Sequence, residues 1–275
     1  MPYAWLKDGT PLHYIEQGSG TPLVLVHALM YSARYFWKPN LGPLSQGARV
    51  LAVDMRGQGE SGKPSFGYSI SGLADDLKEF LEIKGIDSAV VVGVALGGLV
   101  VLDYLKRFGP QRIKAIGIVD MTPRLVSAPG WAHPTFGEFP QAAADGFGAS
   151  VRADRSGLRG FLAAGPAEPP SEEFLNEMVA EAFLTPTDVI ADLCDDMVKQ
   201  DMRDFLPKIP VPTLLLYGGP RNKILPTGVG KWMAQQVPNS ELVEFAQSGH
   251  MPFLEEPDKF NAAVLSFVRR VGQSR

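Results

Sequence analysis

The strongest chemical signal in the chain is Gly93-Val94-Ala95-Leu96-Gly97, where an apolar run from Ala89 to Val94 meets a helix-like pattern. Glycines two positions to either side of a central residue let a strand and a helix approach across a very tight turn. Such a bend raises the central side chain at the helix N-terminus, where free N–H groups and the helix dipole favour developing negative charge. A hydroxyl there would be an activated nucleophile for acyl transfer. The central residue is instead Ala95, whose methyl can neither attack a carbonyl nor hold an acyl group. A late histidine, His250, lies in Gln247-Ser248-Gly249-His250-Met251-Pro252. Imidazole titrates near neutrality and suits proton transfer in both directions.

Four motifs, taken in order and spacing, resemble the α/β-hydrolase superfamily in its branch of small capped serine esterases and lactonases. They are His27-Ala28-Leu29 after an early strand, Asp54-Met55-Arg56-Gly57-Gln58-Gly59-Glu60-Ser61 after the next, the bend at Ala95, and Gly249-His250. The resemblance covers nearly the whole chain. It implies an α/β fold, a mainly parallel sheet flanked by helices with an inserted helical cap. It also implies acyl-enzyme chemistry through Ser, His and Asp on a small or medium apolar ester or lactone. Ala95 then stands at the nucleophile position and His250 at the general base. Many relatives place the orienting acid after the strand that corresponds to Thr213–Tyr217, where this chain has Asn222. Others place it one strand earlier, where Asp120 stands, and Asp120 is the expected acid. An Asn at position 222 could hydrogen-bond an imidazole but could not balance its charge. The oxyanion hole is expected from the backbone amides of Leu29 and Leu96, although the family has Gly where Ala28 stands.

Three readings of Ala95 stay open: an inactivating Ser→Ala change in an active hydrolase, a natural ligand-binding or signalling pseudo-hydrolase, or chemistry that needs no nucleophile there. Haloalkane dehalogenases and epoxide hydrolases of the same superfamily use Asp at this position, so a missing Asp is also open, and haloperoxidase-like perhydrolases share the scaffold. Met30, Tyr31, Trp37, Met121, Trp131, Phe136 and Met251 are expected to line an apolar substrate pocket. Arg34, Arg124 or Arg221 could meet a carboxylate. His27, Asp54 and Arg56 read as braces of tight loops, and Cys194, beside Asp195 and Asp196, as an unreactive thiol. No Cys/His pairing predicts a metal, and no glycine-rich phosphate loop predicts a nucleotide, so no cofactor is expected.

These residues need a scaffold. Short Val/Leu/Ile-rich runs at Pro22–Val26, Arg49–Val53, Ala89–Val94, Ile113–Val119 and Thr213–Tyr217 do not alternate with polar residues. That is the pattern of strands buried on both faces of a parallel sheet. Helical patterns between them imply βαβ units. An N-terminal hairpin is expected around Asp8-Gly9-Thr10-Pro11 and a final strand at Leu242–Phe245. Between Asp120 and Ile209 no buried-strand pattern occurs, only helical ones such as Glu172–Phe183 and Thr187–Val198. The expected division is therefore a core of residues 1–121 and 209–275, with a helical cap of residues 122–208.

Composition limits the function classes. With 275 residues, 45% hydrophobic, a large core needs no staples. A net charge of −4 argues against nucleic acid as the main partner. A single cysteine forbids an intrachain disulfide. The longest apolar stretch, Ala89–Leu102, is too short and too glycine-rich to span a bilayer, and the first residues lack a secretory pattern. A cytoplasmic enzyme acting on a small molecule, with no membrane partner, is the expectation.

Overall fold

The structure is a computed structural model that describes residues 2–273. Among them eight strands form one sheet: β1 (Tyr3–Trp5), β2 (Pro11–Gln17), β3 (Pro22–Val26), β4 (Arg49–Val53), β5 (Ser88–Val94), β6 (Arg112–Val119), β7 (Thr213–Gly218) and β8 (Ser240–Phe245). The spatial order is β1-β2-β4-β3-β5-β6-β7-β8. β1 and β2 form an antiparallel hairpin, and β2 also runs antiparallel to β4. Every pair from β4 to β8 is parallel.

Alternate residues of the central strands feed two separate apolar layers. Val24, Val91, Ile116 and Leu215 pack with Leu73 and Phe80 of the helix Ile70–Ile83, Leu99 and Leu102 of the helix Leu96–Phe108, and Met233 of the helix Val229–Gln236. Leu23, Leu25, Val90, Val92 and Leu214 pack on the other side with Leu41, Leu44, and Phe260, Val264 and Phe267 of the helix Pro257–Gln273. Both faces are thus dry, which is why these strands read as continuous apolar runs. Pro257–Gln273 is the longest helix among the described residues, and its apolar positions recur at helical spacing toward the sheet.

Between β6 and β7 the described residues form helices and turns without a strand. The longer pieces are Phe147–Ala153, Leu158–Ala164, Glu172–Ala182 and Thr187–Met197. Ser171 caps the third of these by accepting from the Phe174 N–H. Among the described residues no helix is long and apolar enough to cross a membrane.

Candidate functional site

The bend after β5 is enforced by backbone contact. A Cβ on Gly93 would collide with the Gly97 carbonyl, and one on Gly97 would stand 2.5 Å from the Val26 carbonyl oxygen. Ala95 sits between them at φ 47°, ψ −107°, a conformation that costs a non-glycine residue about 1–3 kcal/mol and persists only when its surroundings impose it. The Ala95 N–H donates to the Val119 carbonyl, tying the bend to the end of β6. Its methyl faces a cavity of about 530 Å³.

Asp120 follows directly on β6, fully buried, at φ 41°. Its Oδ1 accepts the Gly218 N–H at 2.9 Å. Its Oδ2 accepts from the Asn222 side-chain amide at 2.7 Å and from His250 Nδ1 at 2.5 Å. A buried carboxylate is stable when its lone pairs are met in this way. The bond to Asp120 puts the His250 proton on Nδ1 and leaves Nε2 as the basic nitrogen. His250 lines the same cavity as Ala95, and Nε2 has no hydrogen-bond partner among the described residues. An imidazole in this tautomer can take a proton from a group in the cavity while the carboxylate balances the resulting charge.

The loop of His250 is fixed from two sides. Its backbone N–H donates to the Gly165 carbonyl at 2.7 Å. Glu255 accepts from the Gly249 N–H at 2.8 Å and the Met251 N–H at 3.3 Å through one oxygen, and from the Ala167 N–H at 2.7 Å through the other. Burial pushes the Glu255 carboxyl above its ordinary range.

Leu29 and Leu96 both line the cavity. Leu96 opens its helix, so the helix offers its N–H no acceptor. The Leu29 N–H likewise has no acceptor among the described residues. Next to it, Met30 adopts φ 64° and donates its N–H to Gln58 at 2.5 Å. His27 braces this loop: Nδ1 donates to the Ala28 carbonyl at 2.6 Å, and Nε2 accepts the Met55 N–H at 3.0 Å. Complete burial holds its imidazole below the usual range, so it stays neutral. Asp54 ties down the same region through His13 at 2.8 Å and the Ala33 and Glu60 amides at 2.5 and 2.8 Å. Arg56 grips Asp76 with two hydrogen bonds of 2.6 and 2.7 Å. None of His27, Asp54 and Arg56 is on the cavity wall.

Of the expected pocket residues, Met30, Tyr31, Met121, Phe136 and Met251 line the cavity; Trp37 and Trp131 do not. Trp37 has no exposed surface and packs on Phe36, Phe253 and Phe260 in the layer beneath. Trp131 donates its indole N–H to the Arg124 carbonyl at 2.9 Å and meets Trp232 edge to face at 4.9 Å. Trp131 is thus tied down by its own hydrogen bond, and Trp37 is sealed in the core with its indole N–H unpartnered among the described residues, which residue type alone could not reveal. Arg34, Arg124 and Arg221 pair with Glu60, Asp201 and Glu168, away from the cavity. Asn222 meets Asp120 but makes no hydrogen bond to His250, and its own oxygen accepts the Ile224 and Leu225 N–H groups at 2.9 and 3.0 Å. Sequence reasoning missed Asn222 as a partner of Asp120, and it missed Glu255 altogether. The only hint of the latter was a carboxylate pair, Glu255-Glu256, close behind the histidine loop. Cys194 borders the cavity, 2% exposed, and burial with Asp195 nearby pushes its thiol up to about 12.

Comparison with known proteins gives the same frame. The model of the alpha/beta hydrolase fold family matches residues 21–257. AB hydrolase superfamily protein YisY of Bacillus subtilis (strain 168) is 29% identical over 269 residues, covering 96% of this chain and 98% of its own. An esterase (EaEST) from Exiguobacterium antarcticum superposes with a TM-score of 0.87 at 26% identity, covering 97% and 98% of the two chains. A bromoperoxidase from Bacillus anthracis does so with a TM-score of 0.85 at 27% identity, covering 94% and 96%. A match that runs from before β3 to past the His250 loop, over this strand order, makes the chain a member of the alpha/beta hydrolase family.

Proposed function

We propose that this chain carries the site of a serine hydrolase for small or medium apolar carboxylic esters or lactones, with the nucleophile position held by Ala95. The observation that supports this most is the Asp120–His250 pair, whose free Nε2 lies on the cavity that Ala95 also lines. Asp120 acts as the orienting acid and His250 as the base. The amides of Leu29 and Leu96 receive the oxyanion, and the helical segment 122–208 acts as the cap. With a methyl at residue 95, no acyl-enzyme can form, and the chain binds its ligand without turnover. The esterase that superposes on it favours ester chemistry, whereas the bromoperoxidase marks the same scaffold in other use.

The test is Ala95→Ser assayed with short-chain aryl esters. Turnover that disappears when His250→Ala is added supports the hydrolase. A Ser variant that binds tightly without turnover supports a natural pseudo-hydrolase with a ligand-binding or signalling role. Activity on haloalkanes or epoxides in Ala95→Asp alone points to the aspartate-nucleophile branch.

A further inference from the structure

The cavity wall combines two kinds of surface. Ala95, His250 and Asp120 contribute to it from the sheet side, and Phe136, Phe139, Phe147 and Phe161 from the helical segment between β6 and β7. These four rings form a connected edge-to-face series. Phe136 meets Phe161 at 6.3 Å and 90° and Phe139 at 6.3 Å and 83°, and Phe139 meets Phe147 at 5.6 Å and 83°. Phe147 and Phe161 are only partly buried, and Phe136 is 49% exposed. The series therefore keeps ring surface open, and a further ring is the shape that extends it with favourable quadrupole alignment.

Charge narrows the ligand further. Among the described residues no Lys or Arg lines the cavity, and its carboxylates are Asp120 and Asp154. The nearby Arg155 points elsewhere, to Thr187 and to the Ala182 and Thr185 carbonyls. The donors on the cavity wall that suit negative charge are the Leu29 and Leu96 amides, which the ester carbonyl takes; an anionic group placed elsewhere in the cavity would lose its hydration with no cationic side chain to replace it.

We propose that the four phenylalanines form a subsite for the aromatic ring of a neutral ester, and that the cavity rejects anionic ligands. The substrate class rests on the hydrolase reading; the ring subsite and the charge rule stand on the cavity alone. The ring lies against the phenylalanines while the ester group lies beside Ala95. Saturated rings of equal size fill the space but gain no edge-to-face contact.

Three probes test this on the chain as it stands, which cannot consume them: benzyl acetate, cyclohexylmethyl acetate and the anion 4-(acetoxymethyl)benzoate, titrated by calorimetry. Benzyl acetate should bind about 2- to 10-fold tighter than cyclohexylmethyl acetate, the range expected for an aromatic pair. The anion should bind at least about 10-fold more weakly than benzyl acetate. In Phe161→Leu or Phe139→Leu the ratio of the first two affinities should fall toward one. Because this is a ratio on a single protein, general loosening of the site does not mimic it, and the ratio on the unaltered chain stands even where a variant fails to fold. Equal affinities for the two neutral probes on the unaltered chain, an unchanged ratio in both folded variants, or tight binding of the anion overturns the proposal. Ala95→Ser separates this outcome from that of the hydrolase reading. Ring preference without turnover leaves the subsite standing and removes the hydrolase; turnover without ring preference does the reverse.

Discussion

Asn222 donates its side-chain amide to Asp120 at 2.7 Å, on the same carboxylate oxygen that receives His250. The residue at the alternative acid position thus hydrogen-bonds Asp120, the acid in the proposed reading, while its own carbonyl holds the turn at Ile224 and Leu225. In an Ala95→Ser background, Asn222→Ala should lower kcat/KM about 10- to 100-fold, the size of one hydrogen bond to a charged group. Asn222→Asp puts two carboxylates in contact, which cannot both ionise cheaply. The acid limb of the pH–rate profile should then move to higher pH. Profiles of the two variants that overlay the parent's would remove Asn222 from this role.

Glu255 links the His250 loop to the Gly165–Ala167 segment. Glu255→Ala leaves three backbone N–H groups without their acceptor, and each such loss costs about 1–3 kcal/mol where water cannot enter. Urea unfolding should show a loss of about 3 kcal/mol. The His250 Nδ1 proton, observed by NMR in the chain as it stands, should shift or broaden, because the loop that orients the ring is freed. A sharp, unmoved signal would mean the ring is held by Asp120 alone.

His27 sets a pH limit on stability. Burial lowers its folded-state pKa below the unfolded value near 6.5. The unfolded chain therefore binds the proton more readily. The stability contribution of His27 is present above pH 6.5 and is lost as pH falls through the folded pKa. The limiting slope is about 1.4 kcal/mol per pH unit for one proton. Unfolding at pH 7.5, 6.5 and 5.5 should show this decline, and His27→Gln should flatten it while lowering stability throughout. An equal slope in the variant would assign the proton to another group.

Cys194 should resist thiol reagents. With its thiol pushed up to about 12, almost none is thiolate at pH 8. Labelling by iodoacetamide should be at least about 100-fold slower in the folded chain than in urea. Comparable rates would show that the cavity wall opens readily.

The centre of the sheet was legible in the sequence because its strands are dry on both faces. Pro22–Val26 and Arg49–Val53 match β3 and β4 residue for residue. The bend at Ala95 was legible because only glycine fits at Gly93 and Gly97. The pairing of Asp120 with His250, 130 residues apart, was expected from the resemblance to the hydrolase family rather than from any local pattern. The short helices between Gln141 and Ala164 were not legible, since Ala- and Gly-rich turns of helix carry little periodicity. Trp37 and Trp131 were misread as pocket residues because a large apolar ring serves a core and a pocket equally well, and the difference lies in side-chain direction.

Gly93 and Gly97 also decide how freely residue 95 can vary. Because main-chain contacts on either side dictate the torsions there, the side chain contributes almost nothing to forming the turn. Alanine, serine and aspartate are small enough to ride the same scaffold. A change among these residues at this spot is therefore expected to leave the melting temperature nearly untouched, so that on the proposed reading binding and turnover could be exchanged by one substitution without cost to the architecture.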